Sequence, residues 1–250
     1  MNKERLFELI RQEQVILFAG AGISLYAGFP SGERLKEIMH KSLKEDEINV
    51  INYNQSLQYY AEEFCRIKND NRKSLNRILL NEFRYRKPTS IDWHKKLALI
   101  SHIKTIITTN YDELFEKGYG EKCRKVFKSS QINDEEKQTD IYKIHGDIKD
   151  LNSIIITNSD YNNFFIDKKE ESIFWNVIKT KMATNCILFI GYSLEDSNVS
   201  VVLNKIINEL GENKKELFFI SPNQKEHNII YLKKLGITYI NMRSENFLSE

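Results

Sequence analysis

Seven short apolar runs govern what this chain can fold into: Val15–Ala19, Thr105–Thr108, Ile141–Ile144, Ile154–Thr157, Cys186–Ile190, Leu217–Ile220 and Thr238–Asn241. A strand with one wet face alternates apolar and polar residues. An unbroken run of four or five, rich in β-branched and aromatic side chains, suits a strand covered on both faces, and the helical stretches between the runs supply the covers. The sequence therefore predicts an α/β fold with a parallel sheet and helices on both faces. At 250 residues the chain has the length of one such unit, so a single domain over residues 1–250 is expected. Residues 20–104 contain no convincing strand and exceed what one crossover needs. Within them Gly32–Lys44, Asn54–Lys68, Asn71–Phe83 and Ile91–Leu99 read as helices, with Lys87-Pro88 as a break. This predicts a helical insertion over residues 31–100 beside the sheet. A second, charged insertion is expected over Ser129–Asp140.

Composition excludes several classes. The chain is 41% hydrophobic and 29% charged, as ordinary globular proteins are, and has no low-complexity tract. With 37 basic and 35 acidic side chains the net charge is +2, which calls for neither nucleic acid nor an anionic membrane as partner. The basic stretch from Lys68 to Lys87 is interrupted by Asp70 and Glu82 and reads as a solvated helix face. Cys65, Cys123 and Cys186 are far apart, so neither a disulfide framework nor a four-cysteine zinc site is expected. No apolar run approaches the roughly 18 residues of a membrane span, and the amphipathic start MNKERLFELIRQEQ lacks a signal core. A cytoplasmic location is expected.

The chemistry-bearing residues sit where the apolar runs end. VILFAGAGIS is an apolar run passing directly into Gly20-Ala21-Gly22 and then the hydroxyl of Ser24. Glycines there let backbone turn tightly and approach a pyrophosphate, and a following helix N-terminus offers N–H groups and a favourable dipole. A glycine turn that only joins strand to helix has the same form. The usual dinucleotide fingerprint places a third glycine where this chain has Leu25, and no Walker A loop is present, so hydride-transfer dehydrogenases and P-loop NTPases lose support. Thr108-Thr109-Asn110-Tyr111-Asp112 ends the second run, at the sheet edge where ligands of open α/β folds bind, although the same residues would also cap a helix. Lys143-Ile144-His145-Gly146-Asp147 ends the third, and His145 is the one histidine placed to serve as a base near neutral pH. Gly191-Tyr192-Ser193 follows the fifth run, and Ser221-Pro222-Asn223 the sixth, both also compatible with simple turn chemistry.

GAGIS, TTNYD, IHGD and GYSL, in this order over residues 20–194, resemble the sirtuin superfamily and specifically the bacterial SIR2-like domains associated with defence against phage. The resemblance implies a Rossmann-like sheet with NAD⁺ over its carboxyl edge. It implies Gly20, Ala21, Gly22 and Ser24 at the phosphates, and Asn110 and Asp112 facing the nicotinamide ribose and carboxamide. It further implies His145 as catalytic base, Gly191 and Ser193 along the phosphate and ribose region, and Asn223 near the adenosine ribose. Protein-deacylating sirtuins follow the glycine loop with Gly-Ile-Pro-x-Phe-Arg, whereas this chain has Gly28-Phe29-Pro30-Ser31-Gly32-Glu33. Gly32 stands where an aromatic would cover the ribose, and the zinc-ribbon cysteines are missing.

These departures favour hydrolysis of NAD⁺ to nicotinamide and ADP-ribose over transfer to a peptide, with water reaching the ribose past Gly32 and no metal required. Such an activity needs restraint, so a homo-oligomer or a separate sensor or regulatory subunit is expected as partner. Two alternatives stay open on the sequence: an NAD⁺-dependent deacylase or ADP-ribosyltransferase, and a non-catalytic module sensing NAD⁺ or ADP-ribose.

Overall fold

The first apolar run forms β1 (Val15–Ala19), buried at all five positions, and it stands at the centre of the sheet. The computed structural model describes residues 2–135, 137–166, 172–192 and 197–250. In it β1 is flanked by β2 (Thr105–Thr108) and β5 (Cys186–Ile190), both parallel to it. Outside β2 lie β4 (Thr139–Lys143) and then β3 (Cys123–Val126); outside β5 lie β6 (Leu217–Ser221) and then β7 (Ile237–Asn241). All six pairings are parallel, giving the order β3-β4-β2-β1-β5-β6-β7. From β1 the chain goes first to one side and later to the other, so the order reverses beside β1. A crevice opens at the carboxyl ends there, as the predicted α/β architecture requires.

Successive side chains of a strand point to opposite faces, and the two cores follow that rule. Phe18, Ile187, Phe189 and Phe219 face α9 (Ile173–Thr184), α10 (Ser197–Leu210) and α11 (Glu226–Lys234) through Phe174, Trp175, Ile178, Leu203 and Leu232. Leu17, Ala19, Ile106, Ile141 and Leu188 face α1 (Asn2–Arg11), α6 (Asp92–Leu97), α7 (Leu114–Tyr119) and α12 (Ser244–Ser249) through Leu6, Leu9, Leu97, Phe115 and Phe247. Helices cover both faces, which is why the strands read as unbroken apolar runs.

Between β1 and β2 the chain forms α2 (Gly32–Lys41), α3 (Glu45–Ile48), α4 (Leu57–Lys68), α5 (Lys73–Leu79) and α6. The Ser31 hydroxyl accepts from the Arg34 N–H and the Ser56 hydroxyl from the Tyr59 N–H, so each serine sets the start of its helix. α5 runs into a π-turn over Leu80–Arg84, closed by the Tyr85 N–H to the Leu80 carbonyl (2.9 Å). These helices have a core of their own around Leu35, Met39, Tyr60, Phe64, Leu75 and Leu79. The later helix α8 (Asn158–Ile166) joins them, its Ser159 hydroxyl donating to Glu62 of α4 at 2.9 Å.

Two sequence expectations need correction. Ile154–Thr157 is not a strand: Ile154 and Ile156 are buried in the core of the inserted helices, so their apolar character serves a third core instead of the sheet. The edge strand β3 was absent from the expected set because its sequence is CRKV, with only Val126 buried. It is held at the edge by Arg124, whose Nε and Nη2 pair with both oxygens of Asp140 at 2.8 and 2.7 Å. Smaller differences lie at helix ends: the stretch from Gly32 to Lys44 stops at Lys41, and Ser129–Asp140 contributes a 3-10 turn at Ser129–Gln131 and the first residues of β4.

Candidate functional site

The glycine loop is built by contact between two backbones. The Gly20 N–H donates to the Ile190 carbonyl (3.1 Å) and the Gly22 N–H to the Gly191 carbonyl (2.7 Å), extending the β1–β5 ladder past the strand ends. A Cβ on Gly20 would lie 2.6 Å from the Gly191 carbonyl oxygen, and one on Gly22 2.7 Å from Gly191 Cα. Gly191 itself has φ +59°, and a Cβ there would stand 2.3 Å from the Ile23 nitrogen. None of the three can carry a side chain without displacing the other loop. The loop continues into a 3-10 segment, Ala21–Ala27, and not into the α-helix whose N-terminus the sequence suggested. The N–H groups of Gly22 and Ile23 are already donated to Gly191 and Gly20.

Over this seam lies a cleft of about 850 Å³, a size suited to a cofactor-sized ligand. Its floor takes Ala21, Gly22 and Ser24 from the loop, Asn110 and Asp112 from the end of β2, His145 from the end of β4, and Gly191 from the end of β5. Four of the seven strands thus deliver to one place. Gly20 lies beneath the lining, and Ser221 and Pro222 reach the cleft while Asn223 does not. Asn223 is instead exposed with φ 48°, its N–H donating to Asn241 Oδ1. Ser193 lies outside the described residues.

The polar floor can be read proton by proton. Ser24 Oγ stands 2.9 Å from Asp112 Oδ2, and Asn110 Nδ2 stands 3.0 Å from Ser24 Oγ. A carboxylate only accepts, so the Ser24 proton goes to Asp112, and the Ser24 oxygen is left to accept from the Asn110 amide. Asp112 Oδ1 accepts the Leu114 N–H (2.9 Å), the first of α7, so Asp112 serves the helix start from just before its N-cap, Glu113, whose own side chain makes no capping bond. The relay turns Asn110 Oδ1 away from Ser24, and this atom is buried without a hydrogen-bond partner. An orphaned acceptor in a cleft wall is costly unless something donates to it, which marks it for a ligand or water.

His145 is 4% exposed, and the Tyr161 ring stands edge-on to its imidazole at 5.5 Å. Its loop is held by the segment whose apolar run suggested a strand. The Ile155 N–H donates to the His145 carbonyl (3.1 Å), Tyr111 Oη donates to the Ile155 carbonyl (2.7 Å), and Gly146 turns at φ +84° against Ser153. Ile154–Thr157 therefore braces the histidine loop against the asparagine loop.

Beneath both loops lies a buried charge cluster. Lys143 Nζ, 1% exposed, pairs with Asp147 Oδ2 at 2.7 Å and Glu116 Oε1 at 3.3 Å, and donates to the carbonyls of Tyr111 (3.1 Å) and Asp112. Burial, the largest influence, would strip the proton from Lys143, but the carboxylates of Glu116, Asp147 and Asp112 overcome it and hold the ammonium above the ordinary lysine value. Burial likewise opposes the Asp147 carboxylate, yet Lys143 keeps it below its ordinary value. For Glu116, burial wins and the pKa rises.

The opposite wall comes from the inserted helices: Ser31, Gly32, Gln55, Leu57 and Phe83. Gly32 lines the cleft as expected, and Leu57, whose Cδ2 would lie 3.3 Å from a Cβ there, lines it beside Gly32. Aromatic cover comes from elsewhere. Phe83 lines the cleft from the π-turn and packs edge-on against Tyr111 at 5.5 Å. Phe83 and Tyr161 left no sequence signal, whereas Lys143, a cation inside the run IYKI, did. Among the described residues no group of three His, Cys, Asp or Glu could hold a metal ion.

The chain is similar to known proteins. The family described as SIR2-like domain matches residues 104–240. An NAD(+) hydrolase ThsA from Enterococcus faecium is 31% identical over 241 residues, covering 91% of this chain and 47% of that protein. A second ThsA, from Bacillus cereus, is 29% identical, covering 79% of this chain and 40% of that protein. Defense-associated sirtuin 2 of Bacillus subtilis is 27% identical over 96% of this chain and 24% of its own length. The chain thus spans about half the length, or less, of the curated relatives it matches. Among solved structures, a Sir2 homologue mutant in complex with ADP ribose superimposes with a TM-score of 0.56 at 12% identity, over 98% of this chain and 93% of that one. That likeness extends to the fold alone. Since the family match covers more than half of its residues, the chain belongs to the SIR2-like domain family.

Proposed function

We propose that this chain hydrolyses NAD⁺ at the nicotinamide–ribose bond, giving nicotinamide and ADP-ribose, and that residues 1–250 act as one NAD⁺-binding unit. The observation that carries the reading is the Asn110 amide, locked by Ser24 and Asp112 so that its buried carbonyl oxygen has no protein donor. The leaving group is cationic, so the barrier lies in the oxocarbenium-like ribose and in placing a nucleophile beneath it. Asn110 Oδ1 accepts a hydrogen bond from the attacking water or from a ribose hydroxyl, and His145 takes the one proton that the nucleophile gives up. Water adds its oxygen to the anomeric carbon as the bond to the nicotinamide nitrogen breaks, and the pair of electrons leaves with nicotinamide.

Ser24 and Asp112 are spent on each other and on α7, which supports a role in setting Asn110 instead of direct contact with phosphate or carboxamide. Ala21, Gly22 and Gly191 form the floor under the phosphates, Ser221 lies near the adenosine ribose, and no metal takes part. Phe83 and Leu57 restrict water around the ribose, so hydrolysis rests on one placed water and not on an open cleft. The hydrolase names of the relatives and their match over most of this chain support this reading, and the defence-associated sirtuin supports a place in anti-phage NAD⁺ depletion. No described helix is long and apolar enough to cross a membrane, in keeping with the cytoplasmic assignment we propose. Restraint by self-assembly or by a sensor or regulatory subunit completes the proposal.

Chromatography of NAD⁺ incubated with the protein tests it. Free ADP-ribose and nicotinamide in equal amounts are expected. An O-acyl-ADP-ribose product or a modified protein would instead establish transfer chemistry.

A further inference from the structure

We propose that Lys143 is a positioning residue for the reaction: its ammonium ties the Asn110–Asp112 loop to the His145–Asp147 loop and so fixes the water-holding amide relative to the base. The inference rests on the roles given above to Asn110 and His145. Four oxygens from three segments surround Nζ: the carbonyls of Tyr111 and Asp112, Glu116 on α7, and Asp147 beyond the histidine. An ammonium has three donors, so this one is saturated.

A lysine at the last position of a strand paired on both sides is a poor device for stability. Replacing a buried ion pair by apolar side chains of similar volume is often neutral or stabilising, so the charge has to be explained by something else. Its placement supplies the explanation. Lys143 stands in register with Thr108 across β2 and β4, two residues before each catalytic position, Asn110 on one side and His145 on the other. The Asp112 whose carbonyl it grips is the residue whose carboxylate orders Ser24 and through it Asn110. The cluster therefore sets the one distance on which proton transfer from a placed water depends. Its loss also need not unfold the chain, because Lys125 stands 3.0 Å from Asp147 and keeps that carboxylate paired.

The test compares NAD⁺ turnover, KM and thermal unfolding for Lys143→Met, Asn110→Ala and the double variant. Displacement of a catalytic group by about 1 Å can cost about 10²-fold, so Lys143→Met is expected to lose about that much in kcat with KM little changed. In the Asn110→Ala background it is expected to cost nothing further, since both changes disable one unit. Activity that falls only with the folded fraction overturns the inference, as do losses that multiply in the double variant. Full turnover in Asn110→Ala overturns the reading of the site and the inference with it. Loss there with full kcat in Lys143→Met overturns the inference alone. If Lys143→Met does not fold, Lys143→Met/Asp147→Asn removes the carboxylate together with the cation and carries the same comparison.

Discussion

The two walls of the cleft are made in opposite ways. The sheet-side wall is held by its neighbours: Asn110 and Asp112 at 6% and 2% exposure with only Asn110 Oδ1 left without a partner, interlocked glycines, and a saturated lysine beneath them. The helical wall presents Asn54, Gln55 and Ser56, all exposed, with the Lys36 ammonium donating to the Gln55 carbonyl. Parallel strands ending at one edge give the first wall its order at no added cost, because the ladder has already fixed the backbone. A loop between helices has no such frame. The difference divides the work: chemistry on the sheet side, admission and fit of the ligand on the helical side.

This division can be broken most severely at Asn110. Asn110→Ala should lower NAD⁺ hydrolysis by about 10²–10⁴-fold while the melting temperature stays close to the parent, and unchanged turnover would end the assignment. His145→Ala should fall in the same range, read by the same product assay.

The next effect lies outside the cleft lining, where His94 on α6 is fully buried between Tyr26 and Phe115 of α7, with Nδ1 2.7 Å from Tyr26 Oη. Burial pushes the imidazole down to about 4 from 6.5, opposed by Asp112. Above pH 6.5 the folded and unfolded states both hold a neutral imidazole, and stability does not respond to pH through this group. Between 6.5 and about 4 the unfolded chain binds a proton that the folded chain refuses, so stability should fall with pH at up to ~1.4 kcal/mol per unit, or roughly 3 kcal/mol in all. Urea unfolding of the parent and of His94→Asn at pH 7 and pH 5 checks this: the variant should be weaker at pH 7 and lose less on acidification.

Gly22→Ala should cost about 1–3 kcal/mol, because its Cβ would lie 2.7 Å from the Gly191 backbone, which cannot rotate out of the way. Differential unfolding measures it, and a neutral result would mean that the seam is looser than its geometry. Smallest of all, Gln55→Ala on the helical wall should leave stability within about 0.5 kcal/mol and act on KM more than on kcat. A large kcat effect there would erase the distinction between the walls.

Much of this was legible in the chain, for a reason each strand makes plain. Buried parallel strands must be continuously apolar, so β1, β2, β5 and β6 announced themselves within a residue or two, and the ends of buried strands are where polar residues stand out. β3 was invisible because an edge strand can be CRKV, half-covered and held by Arg124 to Asp140. Ile154–Thr157 misled because apolar spacing reports burial and not the partner that does the burying; here the partner is a helix core. Phe83 and Tyr161 could not be placed at the site, since their arrival depends on how the inserted helices pack against the sheet. Lys143 stood in the sequence as a cation inside an apolar run and was given no role there; only the structure supplied its four oxygens.

The seam of Gly20, Gly22 and Gly191 has a practical corollary for anyone wishing to silence this protein. Blocking the cleft by planting a side chain in the glycine loop, the obvious choice from sequence, would unseat β1 from β5 in the same stroke. The resulting inactivity would say nothing about chemistry. A faithful dead control has to be drawn from Asn110, whose Oδ1 has no protein partner and whose side-chain bond goes to Ser24 and not to a neighbouring strand.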